Sequence, residues 1–132
     1  TPRELYAAPA SRFVAEFIGE ANLLTAEIVA HDGGLARTRL GPILLDLPHR
    51  DQAVGPALVA VRPEAIRLVT PETGSMAGTV AKAAYLGSHM EYAVTTAVGE
   101  LFVIDRDVTR PHRPGAGVGI VLDPEGATLV PA

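Results

Sequence analysis

Apolar and polar residues alternate one by one along most of this chain, and that period of two defines strands rather than helices. It runs over residues 24–30 and resumes over 35–40 after Asp32-Gly33-Gly34, a combination suited to a tight hairpin turn. Gly41-Pro42 ends the second strand, and 43–47 read as a third. Residues 48–56 are a polar loop before a short, mostly β-branched strand at 58–62. Pro63 stops it, and 63–66 read as one helical turn. Residues 70–76, Thr-Pro-Glu-Thr-Gly-Ser-Met, have the composition of a linker. Beyond it, strands are predicted at 79–86, 89–96, 101–105, 118–122 and 128–130. A tight turn is expected at Val98-Gly99-Glu100 and a Pro/Gly/Arg-rich loop over 107–117.

The start of the chain follows a different period. Thr1 can cap a helix, Pro2 suits its first position and Glu4 completes a capping box. After Pro9, Ser11 can cap a second short helix through Ile18, with Phe13, Val14, Phe17 and Ile18 on one apolar face and Gly19 as the stop. Such a face wants a partner, either within this chain or in a missing part of a longer parent protein. The whole pattern predicts an all-β chain, a small barrel or sandwich, behind a short helical segment. Its expected divisions are a helical lead at 1–22, a first β portion at 23–70, a linker at 71–77 and a second β portion at 78–132.

One strand–turn unit occurs twice. Val61-Arg62-Pro63-Glu64-Ala65-Ile66-Arg67-Leu68 is echoed by Leu122-Asp123-Pro124-Glu125-Gly126-Ala127-Thr128-Leu129. Two strand ends using Pro-Glu turns independently would produce the echo, and so would two related halves, which would then superpose.

Composition narrows the functions. With 132 residues, 48% apolar and 20% charged, the chain can bury a core, built on aliphatic side chains because aromatics are 5% and Trp is absent. A net charge of −4 argues against wrapping nucleic acid, although Arg106, Arg110, His112 and Arg113 form a local basic group. The absence of Cys removes disulfides, thiolate metal sites and cysteine nucleophiles, and fits a cytoplasmic setting. No apolar run is long enough for a membrane span, and residues 13–18 are too short, and carry Glu16, for a signal peptide. A start at Thr1, directly on a helix signal, suggests a piece of a longer protein.

Catalytic signals are weak. Gly115-Ala116-Gly117-Val118-Gly119 precedes a strand instead of opening a helix, so its amides would not converge on a phosphate. His31, His49, His89 and His112 are scattered, and no catalytic or metal site is expected. Ser11, Ser75 and Ser88 lack a nucleophile elbow, and Asp105/Asp107 read as a solvated network with Arg106 and Arg110. The stretch 85–92 holds more interest. Tyr92 is expected roughly opposite Tyr85, either as a cross-strand aromatic pair or as part of a polar rim in which Tyr85, Ser88, His89, Glu91 and Tyr92 meet a small ligand or partner.

These features together resemble a known family. Thr1-Pro2-Arg3-Glu4-Leu5-Tyr6 and the run from Ala8 to Leu24, with Phe17-Ile18-Gly19-Glu20-Ala21-Asn22-Leu23-Leu24, look like the segment after the nucleotide-binding domain of importer-type ABC ATPases. Val61-Arg62-Pro63-Glu64 matches the family's "(Ile/Val)-Arg-Pro-Glu" motif. Gly78-Thr79-Val80, Tyr85-Leu86-Gly87 and Tyr92 match its final TOBE (transport-associated OB) barrel. The resemblance spans nearly the whole chain and implies OB-fold-like barrel units from the C-terminal regulatory region of an ATP-binding subunit. It lies nearest the ferric-iron, polyamine and phosphonate importers, with iron favoured.

On this resemblance the chain is a non-catalytic regulatory and dimerisation region, with no cofactor of its own; the parent would use ATP and Mg. Partners would be a second ATPase subunit and membrane permease subunits, at the cytoplasmic face of the membrane and without nucleic acid. Phe13, Val14, Phe17 and Ile18 would supply a dimer or interdomain contact, while Arg62, Pro63 and Glu64 would orient the strand–turn junction through hydrogen bonds and ion pairs. The rival expectation is a sensor for a small ligand (oxyanion, polyamine, phosphonate or metal) giving feedback inhibition, with rims at 88–91 and 106–113.

Overall fold

The computed structural model describes residues 21–130. Residues 1–20 of the helical lead, with the contact expected of Phe13, Val14, Phe17 and Ile18, lie outside this range, while Asn22, expected in the lead, instead opens the first strand. The rest is strand, turn and loop. In chain order the strands are β1 (Asn22–Asp32), β2 (Leu35–Leu40), β3 (Ile43–Pro48), β4 (Gly55–Val61), β5 (Ile66–Val69), β6 (Met76–Tyr85), β7 (Met90–Thr96), β8 (Gly99–Asp105), β9 (Gly117–Leu122) and β10 (Ala127–Val130). Single 3₁₀ turns occupy Pro63–Ala65, Pro71–Thr73 and Pro124–Gly126. Each opens on a proline, whose fixed φ suits a first helical position. The turn before β8 falls on Ala97-Val98, one residue before the expected place, because Thr96 closes it. The Thr96 hydroxyl donates to the Gly99 carbonyl at 2.7 Å and accepts from the Val98 N–H at 3.1 Å.

The strands form two antiparallel five-stranded sheets, ordered β10-β4-β1-β2-β3 and β5-β9-β6-β7-β8. Their plans are identical once β5 and β10 are exchanged. β5 pairs with β9 in the second sheet (Ile66 opposite Leu122), whereas β10 pairs with β4 in the first (Ala127 opposite Val61). β1 and β6 also each carry an irregularity in pairing, between Ile28 and Ala30 and between Val80 and Lys82.

The echoed motif is therefore the crossing point of two related halves. Arg62 N–H donates to the Gly126 carbonyl at 2.9 Å, and Asp123 N–H donates to the Ala65 carbonyl at 2.8 Å. These two bonds interchange when each unit is mapped onto the other. Pro63 and Ala65 are buried at this junction, while Arg62 and Glu64 are exposed. Among the described residues neither the Arg62 guanidinium nor the Glu64 carboxylate makes a hydrogen bond or ion pair. The expected side-chain orientation of the junction is thus replaced by reciprocal backbone bonding.

Two further expectations about organisation change. Each sheet takes one strand from the other side of 71–77, so 23–70 and 78–132 are not separate sheets. Nor is 71–77 a free linker. Met76 already belongs to β6, Ser75 N–H donates to the Ile120 carbonyl at 2.8 Å, and Gly74 lies directly against Gly119 of β9.

Alternate residues of both sheets fill one continuous core, in which Ile28, Leu40, Val59 and Val61 from the first sheet join Tyr92, Val94, Leu101 and Ile120 from the second. Asn22 ties the sheets polarly. Its side chain accepts from Phe102 N–H at 2.7 Å and donates to the Phe102 carbonyl at 2.9 Å, engaging the backbone of edge strand β8 from the start of β1. The outer face of the first sheet is polar, with Arg39–Glu27 and Arg37–Asp46 ion pairs in exposed positions.

Candidate functional site

The period of β7 divides the residues expected to form one rim. Tyr85 stands opposite Met90, and Tyr92 opposite Ala83, so the two tyrosines are not a cross-strand pair. Tyr92 is 0% exposed in the core, whereas Tyr85 is 65% exposed beside the β6–β7 turn. Glu91, between Met90 and Tyr92, projects from the other face. The Tyr85–Tyr92 grouping read from sequence spacing does not form.

Three of the five do meet. The Ser88 hydroxyl and His89 Nδ1 are 3.0 Å apart, and His89 Nε2 donates to Glu91 Oε2 at 3.2 Å. Glu91 is 3% exposed and its Oε1 is buried without a hydrogen-bond partner. Among the described residues no group of three or more His, Asp or Glu side chains could hold a metal ion.

Tyr92 instead anchors the long loop before β9. His112 N–H donates to the Tyr92 hydroxyl at 2.9 Å, and the two rings meet edge to face at 5.5 Å. Burial pushes the phenol above its ordinary value of 10.0, with Asp105 and Asp107 adding to the rise and the His112 N–H opposing it. A neutral phenol favoured in the fold stabilises it fully below pH 10.0, and that contribution is lost as pH rises toward the shifted value. Tyr92→Phe should therefore cost about 1 kcal/mol at neutral pH through the lost hydrogen bond. It should also flatten the alkaline loss of stability, measured by urea unfolding at stepped pH.

The rest of the loop is held equally firmly. Gly115 N–H donates to the Val80 carbonyl at 2.7 Å, and Val80 N–H donates to the Ala116 carbonyl at 2.9 Å, at the irregularity in β6. Asp105 Oδ1 accepts from Asp107 N–H at 2.9 Å, and Asp107 Oδ1 accepts from both the N–H (2.9 Å) and the hydroxyl (2.6 Å) of Thr109. The Thr109 hydrogen bonds, and secondarily the nearby charges of Arg110 and His112, hold the Asp107 carboxyl below its usual value.

This ordered loop walls an open cleft of about 730 Å³ against β5 and the Pro63–Ala65 turn, near the seam between edge strands β5 and β8. Glu64, Arg67, Asp105, Arg106, Asp107, Arg110 and His112 face it. Arg106, Arg110 and His112 belong to the basic group evident in the sequence. Arg67 carries no such signal in the sequence, because its place beside the loop depends on β5 crossing into the second sheet. A smaller cleft of about 380 Å³ occupies the equivalent position of the first sheet, between β3 and β10, lined by Asp46, Arg50, Glu125 and Thr128 among others.

Comparison with known proteins places this architecture. Over 129 residues the chain is 43% identical to the Fe(3+) ions import ATP-binding protein FbpC 1 of Rhizobium meliloti, covering 98% of this chain and 36% of that protein. It is 42% identical over 132 residues to the FbpC protein of Rhizobium etli, covering 100% of this chain and 37% of the relative. The spermidine/putrescine import ATP-binding protein PotA of Ruegeria pomeroyi is 36% identical over 105 residues, covering 79% of this chain and 29% of that protein. The chain thus spans a little over a third of the length of the iron-import relatives, matching the C-terminal regulatory region of importer ATPases. Among solved structures, that of the cytoplasmic molybdate-binding protein ModG superposes with a TM-score of 0.65 at 18% identity, covering 82% of this chain and 94% of that one, a likeness of fold. With residues 59–130 matching the TOBE domain, and two five-stranded sheets that resemble the expected OB-fold-like barrel units, this chain belongs to the TOBE domain family.

Proposed function

We propose that this chain is the non-catalytic regulatory and dimerisation region of an ABC importer ATPase subunit serving ferric iron uptake. The observation that carries the reading is similarity along 98–100% of the chain to Fe(3+) import ATP-binding proteins. ATP and Mg would be bound by the part of the subunit that this chain does not cover, and permease subunits would meet that part at the cytoplasmic face of the membrane. The exchange of β5 and β10 supports a mechanical role, since two halves sharing strands move as one body and can transmit subunit association without internal hinging.

The test is radiolabelled ferric iron uptake by cells carrying the full-length subunit with or without this region. Loss or deregulation of uptake on deletion is expected; unchanged uptake and unchanged control would overturn the reading. Light scattering tests the dimerisation component separately: a concentration-dependent dimer is expected, and a strict monomer at high concentration removes that component.

A second reading, a small-ligand sensor giving feedback inhibition, is favoured by the open cleft at 106–112. The structurally similar ModG is a molybdate-binding protein, which gives an oxyanion ligand some precedent on this fold.

A further inference from the structure

We propose that the cleft beside β5 binds a polyvalent oxyanion, a small molecule bearing two or more carboxylate or phosphoryl groups, through Arg67, Arg106 and Arg110. Three features of the cleft support this. First, among the described residues no hydrogen bond or ion pair engages any of these three guanidiniums. The neighbouring acids make their hydrogen bonds elsewhere, Asp105 to the Asp107 N–H and Asp107 to both donors of Thr109, although the charge of Arg110 also acts on the Asp107 carboxylate. Guanidiniums present their donors in a planar fork that matches carboxylate and phosphoryl oxygens.

Second, the cationic side chains come from ordered backbone. Arg67 projects from β5, while Arg106 and Arg110 belong to the loop pinned by Tyr92 and Val80. Less ordering of the loop is then needed on binding.

Third, the chain contains its own comparison. The two halves share one plan, yet Thr128 holds in β10 the second-residue place that Arg67 holds in β5. The stretch between β3 and β4 spans 49–54, whereas that between β8 and β9 spans 106–116. The smaller cleft keeps a single lining cation, Arg50, and its Asp46 is paired with Arg37. The cationic cluster is thus an addition to one half, not a requirement of the fold. Its cleft of about 730 Å³ is far roomier than one tetrahedral oxyanion needs and lies within the range of small-molecule sites. Glu64, Asp105 and Asp107 also line the cleft and oppose negative charge, so the ligand must bring more than one anionic group to the three guanidiniums.

Titration calorimetry on the 132-residue chain at low salt, with citrate and with pyrophosphate as probes, tests the site and separates carboxylate from phosphoryl preference. Binding of at least one probe is expected. Arg106→Gln/Arg110→Gln should weaken it by about tenfold or more, Glu64→Gln should tighten it, and Arg50→Gln in the smaller cleft should leave it unchanged. No binding of either probe, undiminished binding by the double variant, or equal loss in Arg50→Gln would overturn the proposal. All four positions are exposed, so the variants should keep the far-UV circular dichroism of the parent. That a bound anion regulates uptake rests on the sensor reading above; that it binds does not. A silent titration removes this site and leaves the iron-uptake result untouched.

Discussion

Gly119→Ala is expected to lower stability by about 3 kcal/mol, a drop of roughly 10 °C in the unfolding midpoint for a domain of this size. Gly119 lies in β9, where a Cβ would stand 2.5 Å from the Thr70 carbonyl oxygen, 2.8 Å from Gly74 Cα and 2.9 Å from Gly74 N. All three obstacles are backbone, so no side chain can swing aside. The stretch around the Pro71–Thr73 turn would have to lift off β9, breaking the Ser75-to-Ile120 hydrogen bond on which β6 begins. Gly117→Ala is the matched control in the same strand, because nothing lies within 4 Å of the Cβ it would add. It should change stability by less than about 0.5 kcal/mol. Thermal unfolding of the two variants side by side decides the matter, and equal midpoints would show that the Gly74–Gly119 approach is not a constraint.

The second large effect lies at the crossing of the halves. A Cβ on Gly126 would fall well inside van der Waals contact of the Ala65 side chain, between the two reciprocal backbone bonds. Gly126→Ala should cost about 2 kcal/mol, and because β5 and β10 leave this point for different sheets, the loss should reach both. Amide exchange in β2 and in β7 should accelerate together. The decisive variant is the swap, Ala65→Gly with Gly126→Ala. It restores one methyl to the junction and should recover most of the stability, a coupling expected only for residues in direct contact. A swap no more stable than Gly126→Ala alone would mean that the methyl–methyl collision does not set the cost.

Much of this chain was legible because strand formation is written locally. Alternation at 24–30 and 35–40, glycines between them, and prolines at 63 and 124 predict the same elements whatever packs upon them. The pattern carries β6 one residue past Tyr85 and sets the turn after β7 one residue late; for the turn, Thr96 decides through hydrogen bonds that residue type alone does not reveal. The rim of Tyr85, Ser88, His89, Glu91 and Tyr92 was misgrouped for a different reason. Nearness in sequence is not nearness in space, because neighbouring residues of a strand face opposite ways. Of that group only Ser88, His89 and Glu91 are joined, and Tyr92 serves the core and the His112 loop.

By itself the sequence determined the all-β character, the family resemblance borne by Arg62-Pro63-Glu64 and its neighbours, the basic group at 106–113 and the repeated strand–turn unit. Only the tertiary structure decided that β5 and β10 trade sheets, that the repeated units bond reciprocally, and that Arg67 comes to stand beside Arg106 and Arg110. The physical reason is that a strand's side chains specify which face is buried, while its backbone offers the same donors and acceptors to any neighbour. Partner choice is therefore a property of the whole packed core, settled where Val61, Ile66, Leu122 and Ala127 meet around one crossing.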